Sequence, residues 1–123
     1  MIIQETPGSP FVQLSVDNCI FEIRGNSFSE NINEIYEKVL EWIDTEMLNI
    51  KCNINCIFNF KVSNSITYKN VLIMMTKFAE LQKQGKKIKI IWFFDTEDED
   101  NLILGKDIEE LFDLPVIFKE KSN

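Results

Sequence analysis

Three small polar residues, Ser63, Asn64 and Ser65, separate two apolar patterns, and a hydroxyl at this position could carry a phosphate. The apolar run 54–62 before them predicts a buried strand, and apolar residues at helical spacing after them predict a helix. The free N–H groups and the dipole at a helix N-terminus favour added negative charge, so a phosphate on Ser65 is compatible with this helix. The alternative is that one of the three residues only caps the helix.

Other chemistry is poorly represented in the sequence. There is no histidine, which removes the commonest general base, the histidine-dependent nucleophiles and most zinc sites. The four glycines do not match a phosphate-binding loop, and no residue spacing indicates an enzyme. We therefore expect no catalytic residues, no cofactor and no metal.

The densest group of carboxylates lies in the segment 95–100. Asp95 follows a predicted parallel strand, which is where α/β proteins place ligands, and a divalent cation could bind there. The preferred interpretation is a solvated, self-repelling loop. An enzyme that uses carboxylates or one of the cysteines is kept as an alternative, and it would require a pocket around a strongly perturbed residue.

The composition is typical of one folded domain spanning residues 1–123, with 45% hydrophobic and 27% charged residues. The net charge of −7 argues against nucleic acid and anionic membranes as partners, because both are themselves negatively charged. The N-terminal residues do not resemble a signal peptide, and no apolar run reaches transmembrane length. These features predict a cytoplasmic protein.

The cysteine count is three, an odd number that fits reduced thiols in a chain without an export signal. Cys52 and Cys56 would lie about 13 Å apart on one extended strand, too far for a disulfide. We therefore expect buried structural cysteines at both positions.

The periodicity predicts an α/β domain with the order β-β-α-β-α-β-α-β, folded as a mixed sheet with helices packed against it. The predicted strands span 10–16, 19–24, 54–62, 87–94 and 116–118. The first helix begins at Ile32, the second ends at Gly85, and the third spans 102–112 with Gly105 weakening its middle. Residues 1–9 are expected to form a loose or edge-lying arm, and Gly25 and Asn26 to end the second strand.

Several of these segments resemble a known family, the SiaC-type regulatory phosphoproteins. The stretch GNSFSEN at 25–31, followed by a helix containing Trp42, is similar to the start of that family's first helix. The stretch FKVSNS at 60–65 is similar to its phosphorylation turn. The turn at 85–86 and a strand ending in Trp92 also resemble the family pattern.

This resemblance, which covers residues 6–118, implies a STAS-like fold with helices mainly on one face and a non-enzymatic switch. It implies three partners: a Ser/Thr kinase of anti-sigma-factor type, a PP2C-type phosphatase, and an output protein such as a diguanylate cyclase that binds the unphosphorylated form. The family's phosphate acceptor carries over onto Ser65. The next residues are Ile66 and Thr67, where the family has two serines, so Thr67 and Ser63 stay as alternative acceptors.

We expect partners to contact the turn 63–69, the exposed side of its helix and the loop 26–30, because a phosphate there would alter a docking surface by repulsion or by its volume. The predicted contact residues are Asn26, Ser27, Phe28, Glu30, Asn64, Ser65, Tyr68 and Lys69. Two other functions remain open: an anti-sigma-factor-antagonist-like regulator of transcription, and a constitutive binding module in which the turn is only a cap.

Overall fold

The computed structural model describes residues 1–121, which form one six-stranded mixed sheet and three α-helices. The strands are β1 (Ile2–Ile3), β2 (Phe11–Ser15), β3 (Ile20–Ser27), β4 (Ile54–Ser63), β5 (Ile88–Phe94) and β6 (Val116–Glu120). The helices are α1 (Ile32–Glu46), α2 (Ser65–Lys83) and α3 (Glu99–Phe112), with a 3-10 turn Met47–Asn49 after α1. The predicted order is confirmed, and the segment predicted as an arm adds the edge strand β1. None of these helices has the length and apolar character needed to cross a bilayer.

The strands lie in sequence order across the sheet, from β1 to β6. The first three are antiparallel neighbours, and β3 to β6 are parallel. A helix connects each parallel pair, and right-handed crossovers that always advance in one direction place their helices on the same face. Consistent with this, α1 packs against α2 and α2 against α3. The predicted mixed sheet with helices on one face is therefore confirmed.

The core lies between that face and the helices, where alternate strand residues are buried. Aromatic rings fill its centre: Phe21 meets Phe78 of α2 edge-on at a centroid distance of 5.2 Å, and Phe58 lies 5.7 Å from Trp92. Burying large aromatic side chains supplies much of the free energy that holds the sheet and the helices together. No helix in residues 1–121 covers the opposite face of the sheet, and Lys89 is exposed along it.

Cys19 and Cys52 form a disulfide, with their Cα atoms 6.4 Å apart. The prediction of reduced thiols is therefore wrong for this pair, and Cys52 is exposed rather than buried. The prediction considered spacing along one strand, whereas the parallel pairing of β3 with β4 brings these two distant residues together. Closing a loop of 33 residues contributes roughly 3–4 kcal/mol to stability. Cys56 is free and buried as predicted, and burial raises the pKa of its thiol.

The strand β3 continues through Gly25 and Asn26, so the prediction that these residues end it is wrong. The pairing register shifts between Gly25 and Ser27, and Gly25 has a φ of +104°, which a residue with a side chain rarely adopts. The shift lets Ser27 pair with Ser63 at the end of β4. The bulge thus carries β3 as far as the predicted phosphorylation turn.

Gly105 allows α3 to lie close to the sheet. A Cβ at this position would be 2.7 Å from Cδ1 of Trp92 and 2.8 Å from Cε1 of Phe118, closer than van der Waals contact permits. The indole Nε1–H of Trp92 also donates to the carbonyl of Asn101 at 3.1 Å, which fixes the first turn of α3 against β5. The glycine expected to weaken this helix is therefore a packing requirement.

We expect Gly105→Ala to destabilise the protein by about 1–2 kcal/mol, because overpacking outweighs the better helix propensity of alanine. Urea unfolding followed by tryptophan fluorescence measures the change. Lys106→Ala is the matched control, since Lys106 is the exposed neighbour, and it should change stability by less than about 0.5 kcal/mol. A Gly105→Ala protein as stable as the wild type would contradict this account of the packing.

Candidate functional site

The carboxyl ends of the parallel strands β3, β4 and β5 lie at one edge of the sheet, so the segments that follow them are neighbours. At this edge Asn64 caps α2, because its Oδ1 accepts a hydrogen bond from the backbone N–H of Thr67 at 3.0 Å. Ser65 is the first residue of the helix and its side chain is exposed. The capping role that the sequence left open among three residues therefore belongs to Asn64.

A chain of three buried hydroxyls lies beneath this turn. The hydroxyl of Ser27 is 2.6 Å from Tyr36 Oη and 2.6 Å from Thr67 Oγ1, and Thr67 Oγ1 donates to the carbonyl of Ser27 at 2.8 Å. If Tyr36 donates to the Ser27 hydroxyl and the Ser27 hydroxyl donates to Thr67, each of the three hydroxyls donates one hydrogen bond. This hydroxyl chain ties β3, α1 and the first turn of α2 together. Burial raises the pKa of Tyr36 to about 12, although the hydrogen bonds with Ser27 and Thr67 oppose the shift.

Two residues of the sequence prediction belong to this chain and have no exposed surface. Thr67, an alternative phosphate acceptor, is 0% exposed, so a kinase cannot reach its hydroxyl in this fold. It follows Ser65 by two residues, or about 200° around a helix, and therefore faces inward where Ser65 faces outward. Ser27, a predicted partner contact, is also 0% exposed and cannot touch a partner. Both corrections have the same cause, which is hydrogen bonding between segments distant in sequence.

The other predicted contact residues fall into two groups. Phe28 is 45% exposed and Glu30 is exposed, but the loop 26–30 is fastened to the N-terminal segment, where Asn26 Nδ2 donates to the carbonyl of Pro7 at 3.0 Å. Lys69 is exposed on α2. A surface groove instead gathers the predicted residues Ser63, Asn64, Ser65 and Tyr68.

This groove, which we call the switch groove, has a volume of about 660 Å³ and runs between the N-terminal parts of α2 and α3. It is lined by Lys61, Val62, Ser63, Asn64, Ser65, Tyr68, Leu72, Asp98, Asp100, Ile103, Leu104 and Asp107. The contribution of α3 is missing from the sequence prediction. The acidic segment after β5 could have indicated that α3 lines the groove, because this segment follows a parallel strand next to the strand that ends at Ser63.

The acidic segment itself begins α3. Asp98 Oδ1 accepts a hydrogen bond from the backbone N–H of Asn101 at 3.2 Å and so caps the helix. Nearby, the ammonium of Lys121 donates a hydrogen bond to the carbonyl of Phe60. Partial burial lowers the pKa of Lys121, and the negative charges of Asp95 and Asp98 oppose this shift. No cluster of three or more His, Cys, Asp or Glu side chains with metal-binding geometry occurs in residues 1–121.

The cysteines do not support the catalytic alternative. Cys19 and Cys52 are joined to each other, and Cys56 is 0% exposed. A nucleophilic cysteine requires an accessible thiolate, and burial instead raises the pKa of Cys56.

The model of a family of regulatory phosphoproteins, the SiaC family, matches residues 3–121. No curated protein sequence matches the chain.

Three solved chains share the fold. One belongs to the crystal structure of the diguanylate cyclase SiaD in complex with its activator SiaC from Pseudomonas aeruginosa; it has a TM-score of 0.87 and 17% identity, covering 98% of this chain and 99% of that one. The crystal structure of apo-SiaC from the same organism has a TM-score of 0.84 and 18% identity, covering 97% of each chain. A further structure of SiaC from this organism has a TM-score of 0.86 and 16% identity, covering 98% of each.

We expect Thr67→Val to destabilise the protein by about 1–3 kcal/mol, because the buried hydroxyl of Ser27 loses its acceptor and the Ser27 carbonyl loses a donor. Thr76→Val is the matched control on the same helix, since Thr76 is exposed and its hydroxyl bonds only to the carbonyl of Leu72. Urea unfolding compares the two variants, and equal stabilities would show that the hydroxyl chain contributes nothing.

Ionisation of Tyr36 should destabilise the folded protein at alkaline pH. Its pKa is raised from 10.0 to about 12, so its contribution to stability is complete below pH 10 and is lost as the pH rises towards 12. Absorbance of tyrosinate should therefore show one late step near pH 12 that is absent in Tyr36→Phe. Tyr68→Phe, which changes the only other tyrosine, should keep the late step; its loss there would contradict the assignment to Tyr36.

Proposed function

The chain belongs to the SiaC family of regulatory phosphoproteins, and from that premise we propose that it is a non-enzymatic switch controlled by phosphorylation of Ser65. The observation that supports the proposal most directly is that different residues at the start of α2 provide the helix cap and the exposed hydroxyl. Asn64 caps the helix, and the hydroxyl of Ser65 points outward at the rim of the switch groove. A phosphate can be added to Ser65 without breaking the cap.

The physical setting favours that modification. A phosphoserine brings a charge of about −1.5 to −2, and the N-terminus of a helix stabilises negative charge through its free N–H groups and its dipole. The helix begins after an extended residue whose side chain is already engaged, so the phosphate need not unfold the first turn. We infer that phosphorylation changes what the groove can bind and leaves the fold intact.

Membership of the family supports a proposal of three partners. We propose a Ser/Thr kinase of anti-sigma-factor type that phosphorylates Ser65, a PP2C-type phosphatase that removes the phosphate, and an output protein that binds the unphosphorylated form. SiaC of Pseudomonas aeruginosa has the same fold and is the activator of the diguanylate cyclase SiaD. A diguanylate cyclase is therefore the output protein that we propose for this chain.

Phosphorylation is tested by intact-mass measurement after co-expression with the anti-sigma-factor-type kinase of the same genome. We expect a gain of one phosphoryl group that disappears in Ser65→Ala and persists in Ser63→Ala, because Ser65 is exposed and Ser63 is half-buried. A phosphoryl group retained by Ser65→Ala would refute Ser65 as the acceptor, and an active kinase that transfers nothing would refute the switch.

The output is tested with a purified diguanylate cyclase from that genome. The unphosphorylated protein should bind the cyclase and raise its rate of cyclic di-GMP synthesis, and the phosphorylated protein should bind at least about tenfold more weakly, a difference of about 1.4 kcal/mol. Equal binding of the two forms, measured by titration calorimetry, would contradict phosphorylation control and leave a constitutive binding module.

A further inference from the structure

Exposed apolar side chains line the switch groove. Val62 is 57% exposed and Ile103 is 54% exposed, and both line the groove beside the half-buried Leu72. One turn beyond the groove on the same face of α3, Leu111 is 72% exposed. Contiguous exposed apolar side chains rimmed by polar groups mark interaction sites in soluble proteins.

The described residues that line the groove are mainly acidic, with the carboxylates of Asp98, Asp100 and Asp107 and the ammonium of Lys61. The cap explains Asp98, and Asp100 lies in the first turn of α3, where its charge suits the helix dipole. Asp107 is two turns further on and has no such role. Neither Asp100 nor Asp107 forms an ion pair with any of residues 1–121, so both charges are free to meet a partner.

We propose that the switch groove binds an amphipathic helix of the output protein that presents aliphatic side chains between lysines or arginines. The proposal rests on the proposed function and specifies the chemistry of its partner. Aliphatic side chains would cover Val62 and Ile103, and the basic side chains would face Asp100 and Asp107. A groove between two helices with apolar and charged positions one turn apart matches the helix-in-groove mode of recognition.

This chemistry determines how a phosphate on Ser65 acts. A basic partner is attracted, not repelled, by added negative charge, so charge alone would strengthen its binding to the phosphorylated form. Release must then come from the volume of the phosphoryl group, which occupies the groove where the partner helix would lie. Ser65→Asp, which adds charge with little volume, is therefore a poor substitute for phosphoserine in this protein.

Two synthetic helical peptides of about 20 residues test the docking surface, one with leucines between lysines and one with glutamates replacing the lysines. The lysine peptide should shift the amide NMR signals of Val62, Ile103 and Asp107, and the glutamate peptide should not. Shifts confined to the uncovered face of the sheet, or equal binding of both peptides, would overturn the proposal.

A double substitution, Asp100→Asn with Asp107→Asn, should weaken binding of the lysine peptide about fivefold to tenfold. The matched control is Glu37→Gln with Glu41→Gln, which makes the same charge change on the exposed side of α1 and should alter binding less than about twofold. Equal losses in the two double variants would show that only the net charge of the protein matters, which would also overturn the proposal.

The isosteric pair Ser65→Glu and Ser65→Gln separates volume from charge. We expect the neutral glutamine to weaken binding of the lysine peptide at least as much as the glutamate does. Loss of binding in Ser65→Glu with wild-type binding in Ser65→Gln would overturn the steric mechanism. These measurements need no kinase, so binding of the lysine peptide to the groove would support the docking proposal even if no phosphate is transferred to Ser65. If Ser65 is phosphorylated but the groove does not bind the lysine peptide, the docking proposal is refuted and the proposed phosphorylation is not.

Discussion

The hydrogen bonds among Ser27, Tyr36 and Thr67 are the constraint on which the candidate site depends. Buried hydroxyls are costly unless they are satisfied, so the end of β3, α1 and the first turn of α2 have to meet at one relative position. That position decides which side of the first turn of α2 is buried. Because Thr67 is held inside, Ser65 is held outside, and the outward hydroxyl is the one that follows the cap residue.

Topology then supplies the rest of the groove. The parallel strands advance in one direction with every helix on the same face, so α3 has to lie next to α2. The absence of a side chain at Gly105 lets α3 approach Trp92, and this close contact sets how near α3 lies to the sheet. A packing contact between α3 and the sheet thus helps to position the α3 side of the groove.

The two edges of the parallel sheet have different roles. The carboxyl ends of the strands carry the cap, the hydroxyl chain and the switch groove, whereas the disulfide joins segments at the amino ends of β3 and β4. A cross-link there limits the conformations of the unfolded chain while leaving the groove unobstructed. The stability that the disulfide contributes can therefore change without altering the groove, since the two lie at opposite ends of the same strands.

The sequence by itself determined the element order, the strand–turn–helix around Ser65 and the lack of histidine chemistry, because apolar periodicity and residue type act locally. Only the tertiary structure decided three other features: the disulfide, the burial of Thr67 and Ser27, and the acidic and apolar residues that α3 contributes to the groove. Each of these joins residues far apart in the chain, and no local pattern encodes such a contact. Their meeting depends on strand order, the register shift at Gly25 and the approach of α3 at Gly105.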